Sequence, residues 1–162
     1  MPNIRIKPLT DKHRQWSNEL LTEAWGSTEA VSSGWLHHTD KLPGFVTLLN
    51  DKPVALVTYN IDGDQCEIVT LNSLEEKQGI GSALVNTVRN EAYSKGCVRL
   101  WLITTNDNTY AFSFYQRLGF KVAGYHINAI EKSRELKPSI PYIGMNGIVI
   151  RDEIEFEMMI EA

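Results

Sequence analysis

A strand, a short loop and a helix follow one another in the middle of the chain, and this stretch constrains the fold most. Residues 65–71 alternate as a β-strand does, and residues 79–95 repeat apolar side chains at helical spacing. Gly79 and Gly81 stand where the helix begins. A strand that enters a helix through such a loop presents free backbone N–H groups at the positive end of the helix dipole, and phosphate groups bind there.

Two other kinds of phosphate-binding glycine loop also precede helices, and the sequence matches neither. A dinucleotide fingerprint needs a third glycine where Leu84 stands, and the strands upstream resemble hairpins rather than β-α-β units. A nucleotide P-loop needs the pattern GxxxxGK[ST], which the chain lacks. A glycine turn that serves packing alone stays open at this point.

The rest of the pattern predicts one domain over residues 1–162, with a single mixed sheet and helices on its faces. The further predicted strands are 3–9, 45–49, 54–61, 97–105, 121–127 and 153–160, and the further helices are about 11–25, 106–118 and 129–137. Residues 26–44 have a weak pattern, and we expect a loop with one short helix there. In the last strand, Glu153, Glu155 and Glu157 share the face opposite the apolar residues.

Composition and charge exclude several classes of protein. No apolar run reaches the ~18 residues of a membrane helix, and the N-terminus lacks a signal core, so we predict a cytoplasmic protein with no membrane partner. The net charge of −4 argues against a nucleic-acid partner and suits a cationic acceptor such as an amine. We expect Cys66 and Cys97 to be buried, reduced thiols. The adjacent His37 and His38 cannot share one helix face as metal ligands, and we expect no metal.

A second motif lies one helix and one apolar strand beyond the glycine loop. Five residues fill the pattern N-x-x-A-x-x-x-Y-x-x-x-G-F without a gap: Asn108, Ala111, Tyr115, Gly119 and Phe120. The two motifs, in this order, make residues 54–122 resemble the GNAT N-acetyltransferases. That family writes its loop as [QR]xxGx[GA]. Here both glycines match, and Glu76 stands where the family has Gln or Arg.

The resemblance implies a central, mostly antiparallel sheet of six to seven strands flanked by helices, with acetyl-CoA as co-substrate. In the family, backbone amides of the loop hold the pyrophosphate of acetyl-CoA. By resemblance these amides lie near Gln78, Gly79, Gly81 and Ser82. Lys77 either adds a positive charge near the phosphates or is a solvated surface lysine. An amide does not depend on its side chain, so the departure from the loop pattern does not remove this contact.

The resemblance also assigns roles close to the reacting atoms. A backbone N–H near Leu71 would polarise the thioester carbonyl, and a splay between two neighbouring strands would admit the pantetheine arm. Asn108 would contact CoA atoms, or cap its helix, or both. Tyr115 would be the general acid that protonates the CoA thiolate, and a core aromatic side chain is the alternative.

The general base is harder to assign. Glu67 alternates with Val69 and Leu71 onto one face of its strand, so it can point to the acceptor side, and some family members carry a catalytic Glu on this strand. An exposed strand carboxylate is the alternative. His126, near the end of a later strand, is the second candidate, because histidine often serves as a base near neutral pH.

We expect transfer of the acetyl group to a primary amine of a small molecule, by direct attack in a ternary complex. The long connection 131–152 is predicted to shape the acceptor pocket with residues 25–38. Arg134 and Arg151 either bind an acidic group of the acceptor or pair with Glu135 and Glu153. Two alternatives stay open, a protein or peptide amine as acceptor and a non-catalytic acyl-CoA-binding module. A homodimer is possible, with the terminal strand as a candidate for pairing between subunits.

Overall fold

In the computed structural model, which describes residues 3–74 and 79–161, the chain forms nine strands and four α-helices. In chain order these are β1 (Ile4–Pro8), α1 (Asp11–Trp25), β2 (Glu29–Ser32), β3 (Trp35–His38), β4 (Gly44–Leu49), β5 (Lys52–Asp62), β6 (Gln65–Ser73), α2 (Ile80–Ser94), β7 (Arg99–Thr105), α3 (Thr109–Arg117), β8 (Lys121–His126), α4 (Ala129–Leu136) and β9 (Glu153–Met159). Seven strands make one sheet in the order β1-β4-β5-β6-β7-β9-β8, and β2 pairs with β3 apart from it. The predicted mixed sheet is confirmed, and only β6 and β7 of these described neighbours run parallel.

The helices begin and end at local signals in the sequence. Asn108 caps α3, because its side-chain oxygen accepts a hydrogen bond from the Ala111 N–H at 3.2 Å. Gly26 directly follows α1 with a φ of 84°, and Gly96 lies just beyond α2 with a φ of 83°. This left-handed backbone favours glycine and ends a helix. The four predicted helices are confirmed, with small shifts at their ends.

The two faces of the sheet bury different helices. The main core lies between one face and the pair α2 and α3, where Leu84 and Tyr115 pack with Val57 of β5. On the opposite face, Leu21 of α1 packs against Leu56, the neighbour of Val57 on the same strand. Successive strand residues point to opposite faces, so β5 serves both layers.

The last strand lies inside the sheet rather than at its edge. β9 pairs antiparallel with β7 on one side and with β8 on the other, and the edge strands are β1 and β8. The predicted pairing of two subunits through this strand is therefore wrong, because its backbone hydrogen-bonding groups are already used within the sheet.

Residues 26–44 contain more regular structure than the sequence predicts. β2 and β3 form a hairpin, and the only helix-like piece is the short 3₁₀ turn Thr39–Lys41. Ser33 and Gly34 make the hairpin turn with positive φ values of 49° and 79°, which suit a tight two-residue turn. The prediction of a loop missed these strands because each has only four residues.

A bulge in β6 changes which of its residues share a face. Two consecutive residues of β5 pair with Thr70 and Ile68, so Val69 is an extra residue between them. Simple alternation places Leu71 on the face of Glu67, and that prediction is wrong. Leu71 instead packs with Ile68 against the core of α2, and Thr70 takes the other face.

The two cysteines are buried and free, as the sequence predicts. Burial raises the pKa of the Cys66 thiol to about 12, which keeps this thiol protonated. In the described residues no helix is long and apolar enough to span a bilayer. The same residues contain no group of three or more His, Cys, Asp or Glu side chains arranged to hold a metal ion.

Candidate active site

β6 and β7 pair at their beginnings and then separate. Their parallel register ends at the pair Ile68 and Leu102. Beyond this pair, β6 continues along β5 and β7 continues along β9. A gap therefore opens between the two strands, as the family resemblance implies. Backbone groups that face such a gap need a partner other than the neighbouring strand, and an extended ligand can supply it.

The gap opens into a cavity of about 580 Å³, a volume typical of small-ligand sites. Leu71 and Thr105 line it from the separated strands. The opposite wall comes from the end of α1, from the hairpin of β2 and β3, and from α4 with the segment that follows it, represented by Trp25, Val31 and Ile140. The connection 131–152 and residues 25–38 thus meet at one cavity, where the sequence predicts the acceptor pocket.

Tyr115 reaches this cavity from α3. The side chain is buried, and its ring packs on Phe120 and Phe156 with centroid distances of 5.5 and 5.9 Å. Burial raises the pKa of the hydroxyl, which therefore stays protonated. In the described part of the chain no group forms a hydrogen bond with this hydroxyl. A protonated phenol of this kind can donate a proton or a hydrogen bond to a ligand in the cavity.

Among the described residues, no side chain caps the N–H groups in the first turn of α2. Gly79 is its N-cap residue, with a φ of 70° and no side-chain hydrogen bond to the turn. A Cβ added at Gly79 would meet no described atom within 4 Å, so none of the described residues fills the space beside Gly79. The first turn has no acidic residue and includes Gly81 and Ser82. An anionic group such as the CoA pyrophosphate therefore fits this helix end.

Gly81 also has a packing reason to be glycine. A Cβ at this position would lie 3.3 Å from Cζ of Phe114, so Gly81 lets α2 and α3 approach closely. The packing alternative left open by the sequence thus applies to one of the two glycines, and Gly79 has no such contact. Lys77 and Gln78, the other predicted residues of the loop, lie outside the described residues.

Asn108 is compatible with both roles predicted for it. Its side-chain oxygen caps α3, and the residue also lines the cavity. Among the described residues its side-chain NH₂ group has no hydrogen-bond partner, so it can donate to a ligand. The three predicted residues Leu71, Asn108 and Tyr115 are thus brought together around one space.

Glu67 is buried in a cluster with the hairpin and is only 5% exposed. The Ser32 hydroxyl donates to Glu67 Oε2 at 2.5 Å, and His37 Nε2 lies 3.3 Å from Glu67 Oε1. His37 Nε2 is also 3.1 Å from the Ser32 oxygen. The alternative of an exposed carboxylate is wrong. Glu67 does not line the cavity, and its role as general base stays a prediction.

Glu153 is a carboxylate that does line the cavity, and sequence reasoning missed it as a site residue. It lies on the predicted polar face of the last strand, yet it is only 3% exposed. Burial and the nearby Glu67 raise the pKa of its carboxyl, and they outweigh the opposing effects of the Ser33 backbone and His126. The sequence of the strand does not predict this burial, because the hairpin that covers Glu153 lies far away in the sequence.

His126, the second candidate for the base, lies on the surface of β8. Its side chain is 46% exposed, and its Nε2 lies 3.1 Å from Oε1 of Glu155. It pairs in register with Glu153, but it does not line the cavity. Its role as a base also stays a prediction.

Comparison with known proteins decides the family. The model of the acetyltransferase (GNAT) family matches residues 10–120. The chain belongs to this family. Membership confirms the predicted family and its fold, together with acetyl transfer by an acetyl-CoA-dependent N-acetyltransferase as the class of reaction.

Similar proteins and solved structures match nearly the whole chain. Two proteins of Bacillus subtilis (strain 168) are each 40% identical to this GNAT chain, YdhI over 157 residues (96% of this chain and 98% of YdhI) and YxbD over 152 residues (93% and 96%). The fold is similar to that of the IAA acetyltransferase from Bacillus cereus ATCC 14579, with a TM-score of 0.74, 21% identity, and coverage of 97% and 99%. It is also similar to a GNAT family acetyltransferase from Elizabethkingia anophelis with acetyl-CoA bound, with a TM-score of 0.69, 21% identity, and coverage of 97% and 98%.

The outer wall of this GNAT cavity, which we call the roof, consists of α4 and residues 137–150. Buried carboxylates anchor it. Asp107 accepts a hydrogen bond from the Met145 N–H at 3.0 Å, which ties the roof to the start of α3. Asp152 accepts from the Asn128 N–H at 2.9 Å, just before α4.

Two arginines predicted near the acceptor also hold the roof. Arg134 donates to the main-chain carbonyls of Ile140, Pro141 and Ile150, at 3.3, 2.9 and 3.0 Å. Arg151 pairs with Asp152 at 2.7 Å, whereas the sequence named Glu135 and Glu153 as the partners of the two arginines. Neither arginine lines the cavity.

Lys137 joins the roof to the opposite wall. Its Nζ donates to the carbonyl oxygens of Trp25 and Glu29, at 2.9 and 2.8 Å. Burial lowers the pKa of this lysine, and the nearby Glu29 opposes the shift. These contacts hold the roof against the end of α1 and the start of β2.

Proposed function

We propose that this chain transfers the acetyl group of acetyl-CoA to a primary amine of a small molecule, by direct attack in a ternary complex. The observation that carries the proposal is the gap between β6 and β7, which opens into a cavity covered by the roof and the hairpin. A protein or peptide acceptor needs an open groove on this side. A cavity of about 580 Å³ under a tied roof favours a small acceptor.

The CoA side of the proposal uses main-chain groups. The pyrophosphate binds the amides at the start of α2, from Gly79, Gly81 and Ser82, which no side chain of the described residues caps. By family resemblance Gln78 adds an amide, and we expect Lys77 to add a positive charge beside it. The pantetheine arm lies in the gap, and Asn108 donates to it from the start of α3.

The reaction requires the neutral amine to attack the thioester carbonyl carbon, so that a C–N bond forms and the C–S bond breaks. A backbone N–H near Leu71 stabilises the negative charge on the carbonyl oxygen. Tyr115 gives its proton to the departing sulfur and regains one from the nitrogen. An ammonium acceptor loses one further proton before attack, and a buried carboxylate on the acceptor side takes it. The sequence names Glu67 for this step.

The proposal treats residues 1–162 as one catalytic domain, and the position of β1 and β9 in one sheet supports this. It includes no metal and no nucleic-acid partner. Cytoplasmic location and a homodimer stay predictions from the sequence.

A thiol-release screen tests the proposal. The chain is mixed with acetyl-CoA and panels of small amines, polyamines, amino acids and peptides, and free CoA thiol is measured. We expect small amines to be turned over and peptides not. Turnover of peptides alone would favour a protein acceptor, and acetyl-CoA binding without thiol release from any panel would leave a non-catalytic module.

Tyr115→Phe tests the general acid within the same assay. We expect kcat to fall about 100-fold, in the range of lost general acid catalysis, with the KM for acetyl-CoA unchanged. Tyr110→Phe is the matched control, because Tyr110 lies on the same helix, is 68% exposed and does not line the cavity. Equal kcat values for the two variants would remove Tyr115 from the mechanism.

A further inference from the structure

Three charged residues of the described chain line the cavity: Asp107, Lys137 and Glu153. The first two already have strong partners. Asp107 accepts hydrogen bonds from a hydroxyl at 2.5 Å and from a main-chain N–H at 3.0 Å. Lys137 donates to two main-chain carbonyls at 2.9 and 2.8 Å. Both groups are thus used to hold the walls together.

Glu153 differs from these two residues. It is almost completely buried, with only 3% of its surface exposed. Within the described residues no side chain donates a hydrogen bond to its carboxylate, which faces the Ser33 main chain. A carboxylate has acceptor sites on two oxygens, so Glu153 keeps capacity for a donor that comes from the cavity. A buried charge without such a donor is costly, and a bound ammonium group removes that cost.

The position of Glu153 fits the acceptor side of the gap. It pairs with Thr105 of β7, three residues beyond Leu102, where the pairing of β7 with β6 ends. At about 3.3 Å per residue, this is roughly 10 Å past the point where the strands separate. Tyr115 lines the same cavity, so an acid and a carboxylate share one space.

The hairpin holds this arrangement through two consecutive residues. Ser32 bonds to the carboxylate of Glu67, and the main chain of Ser33 faces Glu153. His37 braces the same corner from β3. Glu67 therefore acts through the hairpin, away from the cavity, and it positions the wall against which Glu153 lies.

The remaining lining on the acceptor side is largely apolar and includes Trp25, Val31, Ile140 and Met145. In the described chain the only cation there is Lys137, whose amino group is already shared by two carbonyls. A carboxylate on the acceptor would find no free positive partner and would be repelled by Glu153.

We infer that Glu153 binds the acceptor's ammonium group and removes its first proton, and that the acceptor is an amine on an apolar body without a carboxylate. This inference rests on the proposed acetyl transfer. The proton moves from nitrogen to a Glu153 oxygen and then to solvent, and the neutral amine attacks. The second nitrogen proton ends on the CoA sulfur through Tyr115.

Matched acceptors test the substrate class. Three sets differ only at the α-carboxylate: phenethylamine, phenylalanine and phenylalaninamide; isoamylamine, leucine and leucinamide; putrescine, ornithine and ornithinamide. We expect the amine to exceed its amino acid at least tenfold in kcat/KM in a set that is turned over, with the neutral amide between them. Equal or better use of the amino acids, or turnover of peptides alone, would overturn the inference. Absence of thiol release with every amine and peptide would instead count against the proposed function.

Glu153→Gln tests the residue with the best acceptor of that panel. We expect kcat/KM to fall about 100-fold at neutral pH, as for a lost general base, with the KM for acetyl-CoA and the circular dichroism unchanged. The deficit should shrink at alkaline pH, because the free amine loses its own proton near pH ~10. Alkaline rescue separates proton removal from a merely structural role. The groups that face Glu153 are Glu67 from β6 and His126 from β8, while Ser33 from the hairpin and Thr105 from β7 are uncharged.

Glu157→Gln is the matched control on the same strand face, because Glu157 pairs with Arg99 outside the cavity. It should retain wild-type kcat/KM. Glu67→Gln should lose activity without alkaline rescue, since Glu67 holds the hairpin. If Glu153→Gln behaves as Glu157→Gln does, or if the rescue appears in Glu67→Gln, Glu153 is not the group that takes the proton.

Discussion

The CoA side and the acceptor side of the cavity are built on different principles. On the CoA side, the start of α2 and the gap beside β6 offer main-chain groups that can bind the ligand. The side chains there mainly have to leave room for it. On the acceptor side, the hairpin and the roof are held by side chains that reach across the fold, such as Lys137 to the Glu29 carbonyl. The first side thus depends mainly on main-chain groups, whereas the second depends on a few specific side-chain contacts.

This difference explains where specificity can reside. An amide at a helix start binds any phosphate ligand, so the CoA side is general for the co-substrate. The acceptor side has one carboxylate available for a ligand in the described cavity, Glu153, and apolar walls around it. Because the roof is tied by few contacts, small changes there should alter acceptor use while acetyl-CoA binding stays the same.

The largest expected effect comes from Gly144→Ala in the roof. A Cβ at Gly144 would lie 2.2 Å from Oδ2 of Asp107 and 2.7 Å from Cγ1 of Ile150. Either the roof or the Asp107 carboxylate that holds it through the Met145 N–H must therefore shift. A displacement of about 1 Å in a positioning element can cost about 100-fold in rate. We expect kcat/KM for the acceptor to fall by that factor, with the KM for acetyl-CoA unchanged in steady-state kinetics.

Gly147→Ala is the control for this change. Gly147 lies in the same segment, has a φ of 72°, and an added Cβ would meet no described atom within 4 Å. This variant carries backbone strain of about 1 kcal/mol without displacing Asp107. If it loses acceptor turnover as strongly as Gly144→Ala does, the loss reflects general strain in the roof. An equal rise in both KM values for Gly144→Ala would show that the two sides are not separate.

The difference between the CoA side and the acceptor side also explains which parts of the molecule could be predicted from the sequence. The fold and the CoA side could be predicted from local patterns. Helix starts, glycine turns and the alternation of strand residues all depend on residues that are close together in the sequence. The motif around Asn108 and Tyr115 places both residues correctly at the cavity. The acceptor side resisted prediction, because Glu153 becomes buried only when a hairpin from more than a hundred residues earlier covers it. The bulge at Val69 likewise leaves no local signal, and it reverses the face on which Leu71 lies.

A smaller effect is expected on the CoA side from Gly79→Ala. Gly79 has a φ of 70° and lies before the open start of α2. A side chain there is strained by about 1–2 kcal/mol and enters the space where the pyrophosphate would bind. We expect the KM for acetyl-CoA to rise about tenfold, which corresponds to about 1.4 kcal/mol, with the acceptor KM unchanged.

Gly63→Ala separates the two causes in that variant. Gly63 lies between β5 and β6 with a φ of 63°, and an added Cβ there also meets no described atom within 4 Å. Both variants should lose similar stability in urea denaturation, since both impose the same backbone strain. Only Gly79→Ala should weaken acetyl-CoA. A matching rise in KM for Gly63→Ala would assign the effect to lost stability and would remove the helix start from the proposed binding site.

The smallest expected effect concerns the stability of the roof and its dependence on pH. Hydrogen bonds from Arg151, Asn128 and Tyr125 lower the pKa of Asp152 below the ordinary range of an aspartate, against the opposing effect of burial. A carboxyl whose pKa is depressed by folding stabilises the protein above its unfolded pKa of about 3.9, and this contribution is lost as the pH falls through the folded pKa.

Asp152→Asn should therefore reduce the free energy of unfolding by about 1 kcal/mol at neutral pH, because its partner Arg151 is largely exposed and its charge is screened. The deficit should stay constant down to about pH 4 and shrink below it. Urea denaturation from neutral to acid pH measures this, and a deficit that grows with acidity would mean that Asp152 is not charged in the folded protein. The KM for acetyl-CoA should not change with this variant, since Asp152 anchors only the roof.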